Sequence, residues 1–221
     1  MSAKSVCGMS CGQMHEFAIA LDKAGFNAKL VQEVVSSRGN SKAKRMFAAL
    51  SGAALEGDRF DLIEIFPVTV PEGYDHVTRL ATFASAHRQE FYSYHDDLTD
   101  QSFAKATTKL VAGRKFQVKA FQIKGRVTSE DCLTFVKSQK GVLVGAQGAS
   151  LAYEQGKDKL PVNRRSISFD EKDSLPVLGG FHRVPKVRRD SDGDFGFGLG
   201  YFGGDWTGGD VLLVFCDLES A

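Results

Sequence analysis

The sequence has no long apolar run, no recognisable export signal and almost no net charge. No apolar stretch reaches the roughly 20 residues that a membrane-spanning helix needs, so we expect no membrane segment. The opening residues MSAKSVCGMSCGQ lack the apolar core of a secretory signal, and we therefore expect a cytoplasmic protein. The formal net charge is +1, so any attraction to nucleic acid must come from a local basic patch.

Several motifs that carry catalysis or hold metals are also missing. The chain has no P-loop G-x-x-x-x-G-K-[ST], no nucleophile elbow G-x-S-x-G and no H-E-x-x-H. Cys7 and Cys11 are spaced as C-x3-C, but zinc would need two further ligands, and His15 is the only close candidate. We therefore predict no catalytic residues, no metal and no cofactor, and we favour a non-enzymatic protein over an enzyme.

The composition is that of a globular protein with a phenylalanine-rich core. Of 221 residues, 43% are hydrophobic and 25% charged, and 17 phenylalanines stand against one tryptophan. This length allows one large domain with a smaller appendage. We predict a mobile leader over 1–12, a helical subdomain over 13–52 and a larger domain over 60–221.

Patterns of apolar residues predict an α+β fold. Prolines at both ends of 67–71 favour an edge strand there, and residues 77–94 mix helix and strand signals. We predict a helix from Thr99 to Val111, an alternating strand over 116–123, and a helix capped by Thr128 or Ser129. Because helices and strands are interspersed without a βαβ repeat, we expect a mainly antiparallel sheet with flanking helices and an N-terminal helical subdomain.

One segment alternates large side chains with glycine. Phe195, Phe197, Leu199 and Tyr201 alternate with glycines 196, 198 and 200, which predicts a strand with one aromatic and one bare face. A bare face allows close approach of a ligand, a partner or another part of the chain. We favour the last of these, with the aromatic face in the core.

A basic segment precedes this strand and supplies our main candidate site. We predict that an anion is bound by cationic side chains of this segment: Arg183, Lys186, Arg188 and Arg189. Arginines 164 and 165, and Arg114 with Lys115, could join the same surface. Strict alternation would put Arg183 and Lys186 on opposite faces, and we expect Pro185 to bend the segment. The alternative is ion pairing with the acidic turn that follows, Asp190 to Asp194, whose spacing does not fit a calcium loop.

A glycine turn before a predicted helix is a second candidate for anion binding. Gly145, Gln147 and Gly148 could present backbone amides to a phosphate at the helix start. The spacing here is only G-x-x-G, and a tight structural turn is the alternative. In an enzyme that acts on a phosphorylated small molecule, His95 or His182 would carry protons.

Four blocks of the sequence resemble those of a group of short, uncharacterised bacterial proteins. They are GVLVGAQGASL (141–151), SFDEKDSL (168–175), FHRVP (181–185) and SDGDFGFGLGYF (191–202). The resemblance extends over most of the chain, and it implies a bacterial cytoplasmic origin without implying an activity.

Together these features predict a binding or accessory protein. Its basic surface would contact an anionic partner such as nucleic acid. The alternatives are the enzyme described above and a subunit of an assembly, in which a partner would cover the bare glycine face.

Overall fold

The computed structural model describes Ile19, Gln32 and residues 59–218, and it divides the chain into two compact units, Met1–Leu55 and Glu56–Ala221. Ile19 and Gln32 are helical. The predicted leader and the rest of the predicted helical subdomain lie outside the described residues, as do Cys7 and Cys11.

Residues 59–218 contain three α-helices and an eight-stranded sheet. The helices are α1 (Arg79–His87), α2 (Ser129–Ser138) and α3 (Gly145–Gly156). The strands are β1 (Phe60–Thr69), β2 (Phe91–Tyr94), β3 (Lys115–Ile123), β4 (Arg164–Ile167), β5 (Val177–Leu178), β6 (Phe181–Arg189), β7 (Phe195–Tyr201) and β8 (Asp210–Asp217). Short 3-10 helices lie at Arg88–Glu90, Lys157–Lys159 and Lys172–Ser174.

The sheet is mixed. Its order is β1-β3-β8-β4-β6-β7-β2, with β5 paired to one end of β6. The pairs β4–β8 and β2–β7 are parallel, and the other pairs are antiparallel. The predicted α+β class is confirmed, but the prediction of a mainly antiparallel sheet is wrong. The reason is that β8 inserts between β3 and β4 and runs parallel to β4, and that β2 runs parallel to β7 at the other edge.

Helices cover both faces of the sheet and create two cores. The core that includes α1 and α3 contains Phe195 and Phe197 of the aromatic face of β7, as predicted, packed among Phe83, Phe91 and Tyr153. Tyr201 on the same face is exposed, so the prediction holds for only part of the strand. The core that includes α2 contains these residues among others: Phe60, Phe121, Leu133, Phe135, Phe169, Trp206, Leu212 and Val214.

The edge position of β1 and the cap of α2 agree with the sequence-based predictions. β1, which contains Pro67, lies at an edge of the sheet as expected. α2 begins with a capping box, in which Thr128 Oγ1 accepts from the Asp131 amide and the Asp131 carboxylate accepts from the Thr128 amide.

The predicted helix from Thr99 to Val111 is wrong, because the segment forms turns. The segment forms hydrogen bonds with distant parts of the chain, and the Thr107 amide donates to the Asp170 carboxylate at 3.1 Å. The Asp100 carboxylate in turn accepts from the amides of Leu80 and Ala81 at the start of α1, 2.8 and 2.9 Å away. These tertiary bonds outweigh local helix propensity.

No helix within the described part of the chain is both long enough and apolar enough to cross a membrane. The cytoplasmic location stays a prediction.

Candidate anion-binding site

Four strands bring three cationic side chains together over the bare face of β7. In the sheet register, Arg188 of β6 lies opposite Arg165 of β4 on one side and Gly196 of β7 on the other. Lys186 lies opposite Gly198. Residues directly opposite each other share a face, so all three cations lie on the glycine face.

A pocket of about 230 Å³ opens at this point. Its lining consists of Tyr92, Ser93, Arg165, Lys186, Arg188, Gly196, Phe197 and Gly198. We call it the cationic pocket. All of its lining residues come from strands, which are more rigid platforms for a binding site than loops.

The bare face is covered at both ends and open in the middle. A Cβ atom on Gly200 would lie 2.7 Å from the Trp206 ring, and one on Gly196 would lie 2.9 Å from the Tyr92 hydroxyl. At Gly198 the nearest atom would be Lys186 Cε, at an ordinary contact distance of 3.6 Å. The expected cover by the chain itself is therefore present at the two ends, and the cationic pocket occupies the centre.

Two of the three cations are held by carboxylates. Arg165 Nη2 donates to Asp210 Oδ2 at 2.9 Å, and Asp210, which is fully buried, also accepts from the Thr207 amide. Arg188 Nε donates to Asp190 Oδ1 at 2.6 Å. These contacts orient the two guanidinium groups at the pocket.

Lys186 differs from both arginines. Its side chain is half-buried, and it makes no ion pair or hydrogen bond with any residue in the described part of the chain. Burial lowers the pKa of its amine, as do the charges of Arg165 and Arg188, while Asp210 opposes this shift. Each arginine is paired with one carboxylate, so Lys186 is the cation of the pocket that has no ion-pair partner in the described part of the chain.

The predicted basic surface is split between the two faces of the sheet. Lys186 and Arg188 line the cationic pocket, whereas Arg183 and Arg189 are one residue out of phase and lie on the other face. There Arg183 stacks on the Tyr201 ring, 3.9 Å from its centroid. Pro185 does not interrupt the strand, and strict alternation applies throughout β6, so this residue does not bring Arg183 and Lys186 to one face.

Arg189 forms hydrogen bonds with the backbone of another segment of the chain. Its Nη1 donates to the carbonyls of Asp158 and Leu160, at 3.0 and 3.3 Å. Conversely, Arg165, which the sequence indicated only as a possible addition, belongs to the pocket. Its position depends on pairing between β4 and β6, which are separated by more than a dozen residues of chain, and no local pattern reveals that pairing.

The second predicted anion site lies in the interior. Gly145, Gln147 and Gly148 form the first turn of α3 and are all buried. The Gly145 amide donates to the Phe169 carbonyl at 3.0 Å, and the Gly148 amide donates to the Val144 carbonyl at 2.9 Å. A carboxylate of the chain itself, Asp170, packs against Gly145, and burial raises its pKa. We therefore leave these three residues out of the proposed site.

The two histidines that were alternatives for proton transfer, His95 and His182, both lie outside the cationic pocket. His95 accepts a hydrogen bond from the Asp97 amide at 3.2 Å, and His182 packs edge-on against the Phe202 ring. Neither lines the cationic pocket.

The acidic segment before β7 is a turn, as expected, closed by a hydrogen bond from the Asp190 amide to the Asp194 carbonyl. In the described residues no cluster of three or more acidic, histidine or cysteine side chains could hold a metal.

A glycine motif that is known from nucleotide-binding proteins also begins in β7. Residues 198–203 spell G-x-G-x-x-G, the pattern of dinucleotide-binding loops. That chemistry requires a glycine turn between a strand and a helix. Here the residues run from β7 into the turn beyond it, and no helix follows before β8, so the match carries no dinucleotide site.

No protein-family model, curated protein or solved structure matches the chain. The resemblance to uncharacterised bacterial proteins therefore stays a prediction. The geometry and charge of the cationic pocket are the features of the described residues that point to a function.

Proposed function

We propose that this protein binds an anionic ligand and that the cationic pocket is its binding site. The observation that carries the proposal is Lys186: a half-buried cation, without a carboxylate partner in the described part of the chain, beside an open glycine. Burying a charge without a partner costs free energy, because the ion loses hydration. A bound anion would supply the missing partner.

The arginines add directional hydrogen bonding to this charge. Guanidinium groups bind phosphate and carboxylate oxygens in a planar, often bidentate geometry. Arg165 and Arg188 are direct cross-strand neighbours, so one anionic group can contact both. Their carboxylate partners hold them in place before the ligand arrives, which reduces the entropy lost on binding.

The size of the pocket limits what enters it. Pockets for whole drug-sized ligands measure about 300–1,000 Å³, and this one measures about 230 Å³. It therefore accepts one charged group, such as a phosphate or a carboxylate, on a small molecule. The acidic residues Asp190, Asp192 and Asp194 adjoin β6 and β7 and would repel a long polyanion.

A nucleic-acid strand is the second candidate, and Tyr92 favours it. Its side chain is 56% exposed at the rim of the pocket, so a base could stack on the ring while the cations hold a phosphate.

Thermal-shift measurements at low ionic strength test the proposal. Inorganic phosphate should raise the melting temperature of the wild type as RT ln(1 + [L]/Kd) requires, and Lys186→Met should abolish the rise. Lys115→Met is the matched control, because Lys115 is exposed on β3 and lines no part of the pocket. An unchanged melting temperature at millimolar phosphate, or an equal rise in Lys186→Met, would contradict the proposal.

Titration with single-stranded DNA at several salt concentrations separates the two ligand classes. A strand that contacts several phosphates gives a steep loss of affinity with salt, since each contact releases counterions. Tight binding with a steep slope, weakened by Tyr92→Ala, would favour nucleic acid. Weak binding of DNA beside clear phosphate binding would favour a small ligand.

A further inference from the structure

Lys186 has the surroundings of a reactive amine as well as those of an anion-binding cation. It lies between Ile167 of β4 and Gly198 of β7 in the sheet register. Its side chain runs along the bare glycine into the cationic pocket and meets no acceptor in residues 59–218. The amine is thus open to a ligand and is not engaged elsewhere in that part of the protein.

We propose that Lys186 forms an imine with a small anionic aldehyde or ketone, whose anionic group is held by Arg165 and Arg188. The inference rests on the proposed function, because the same pocket must first bind the anion. It names the class of ligand as a carbonyl compound that also carries a carboxylate or a phosphate.

The step is a condensation that needs no oxidant or reductant. The lone pair of neutral Nζ attacks the carbonyl carbon, and one amine proton moves to the carbonyl oxygen to give a carbinolamine. The second amine proton then leaves with the hydroxyl group as water, as the C–O bond breaks and the C=N bond forms. Lysine amines that form imines are activated by burial or by a neighbouring cation, since only the neutral amine is a nucleophile.

Both activating features are present at Lys186. The side chain is half-buried in the sheet, and the guanidinium groups of Arg165 and Arg188 border the same pocket. Burial and these two charges lower the pKa of the amine, and Asp210 partly offsets the effect. Arg165 is paired to Asp210, and Arg188 to Asp190, and neither carboxylate forms an ion pair with the lysine.

The strand geometry limits the length of the ligand. Residues two apart on one strand are about 7 Å apart, and Lys186 and Arg188 have this spacing. A carbonyl group within a few bonds of the anionic group therefore fits, as in short oxo acids and phosphorylated short aldehydes. The volume of about 230 Å³ excludes a much longer molecule from the pocket itself.

Reductive trapping tests the inference on the full chain. The protein is incubated with glyoxylate, the imine is reduced with sodium borohydride, and the modified lysines are identified by peptide mass spectrometry. Lys186 should be labelled severalfold faster than Lys115 in the same molecules, so the readout needs no variant to fold. Inorganic phosphate should slow labelling of Lys186 alone, and Arg188→Gln should slow it while leaving Lys115 unchanged.

The outcomes separate this inference from the proposed function. Labelling of Lys186 no faster than that of Lys115, in a protein that phosphate still stabilises, would overturn the imine and leave anion binding intact. No preferential labelling together with no phosphate stabilisation would overturn both. Fast labelling that phosphate does not slow would show that the anionic group is not held as we propose.

Discussion

At the scale of single residues, Gly198 and Gly200 lie on the same strand face but have different surroundings. A Cβ on Gly200 would lie 2.7 Å from the ring of Trp206, and that ring is fixed because its Nε1 donates to Ser129 Oγ at 2.8 Å. We expect Gly200→Ala to lower the free energy of unfolding by about 1–3 kcal/mol, the usual cost of overpacking.

Gly198→Ala is the matched control, since its nearest contact would be the flexible end of Lys186 at 3.6 Å. Chemical denaturation should show little loss of stability for this variant. Equal destabilisation of the two variants would mean that Trp206 does not restrict Gly200. A methyl group at residue 198 should also weaken phosphate binding, because it would enter the cationic pocket.

Glu90 gives a prediction on pH. Its carboxylate lies 2.8 Å from His87 Nδ1 and accepts a hydrogen bond from the Tyr153 hydroxyl at 2.8 Å. These bonds lower the pKa of Glu90 from 4.5 to about 2. A carboxyl whose pKa is lower in the folded state contributes stability above its unfolded pKa and loses it as pH falls through the folded pKa.

Glu90→Gln should therefore melt at a lower temperature than the wild type at pH 6, and the difference should shrink between about pH 4.5 and pH 2. Differential scanning calorimetry across this range measures the effect. Glu72→Gln serves as the control, because Glu72 is exposed. A difference between Glu90→Gln and wild type that stays constant with pH would contradict the assignment.

The sequence allowed part of the site to be found at this scale, and the reason is periodicity. Alternation along β6 separates Arg183 from Lys186, as the structure shows, whereas our prediction assigned both to one surface because we expected a bend at Pro185. Alternation does not reveal which strands pair, so Arg165 was only a possible addition to the surface and Tyr92 was not identified. The hydrogen bonds from Arg189 to two carbonyls of another segment could not be predicted either, because those carbonyls are about thirty residues away in the sequence.

At the scale of elements, α2 is the part of the structure that its own sequence best specifies. Thr128 caps the helix, and Asp131 completes the capping box while pairing with Arg59 at 2.9 Å. Thr128→Ala should cost about 1 kcal/mol of stability, the typical value for loss of an N-cap. Thr134→Ala is the control, because Thr134 is exposed on the same helix and its hydroxyl only donates a hydrogen bond to the Glu130 carbonyl one turn earlier.

Urea denaturation of both variants measures the difference. Thr134→Ala should unfold close to the wild type, because alanine has the higher helix propensity and the lost bond is local. Equal destabilisation of the two variants would show that the capping box contributes nothing special to α2.

Elements whose form depends on distant partners could not be predicted in this way. The sequence from Thr99 to Val111 favours a helix, but polar groups of this segment form hydrogen bonds with the start of α1 and with Asp170. The sequence predicts an exposed turn for the glycines at the start of α3, but these residues are buried and pack closely against neighbouring side chains. A Cβ on Gly148 would lie 2.1 Å from Val144 Cγ2, which explains the small residue without any ligand.

At the scale of the whole molecule, the sheet depends on its last strand. β8 lies between β3 and β4, and residues 211–215 are all buried. It also supplies Asp210, the partner of Arg165, so this strand helps to build the cationic pocket. A sequence shows that 211–216 is apolar, but not that this strand belongs in the centre of the sheet, because its neighbours are set by contacts between distant segments.

All lining residues of the cationic pocket lie within the unit Glu56–Ala221, and so do the eight strands. We therefore expect a fragment of residues 56–221 to unfold cooperatively and to bind phosphate with the affinity of the full chain. A fragment of residues 56–209, which lacks β8, should not fold, because removing a central strand exposes both cores. Circular dichroism melting and calorimetric titration with phosphate compare the three proteins. If the fragment 56–221 folds but loses phosphate affinity, then residues before Glu56 contribute to the site, and the pocket as built from strands β2, β4, β6 and β7 is not sufficient for binding.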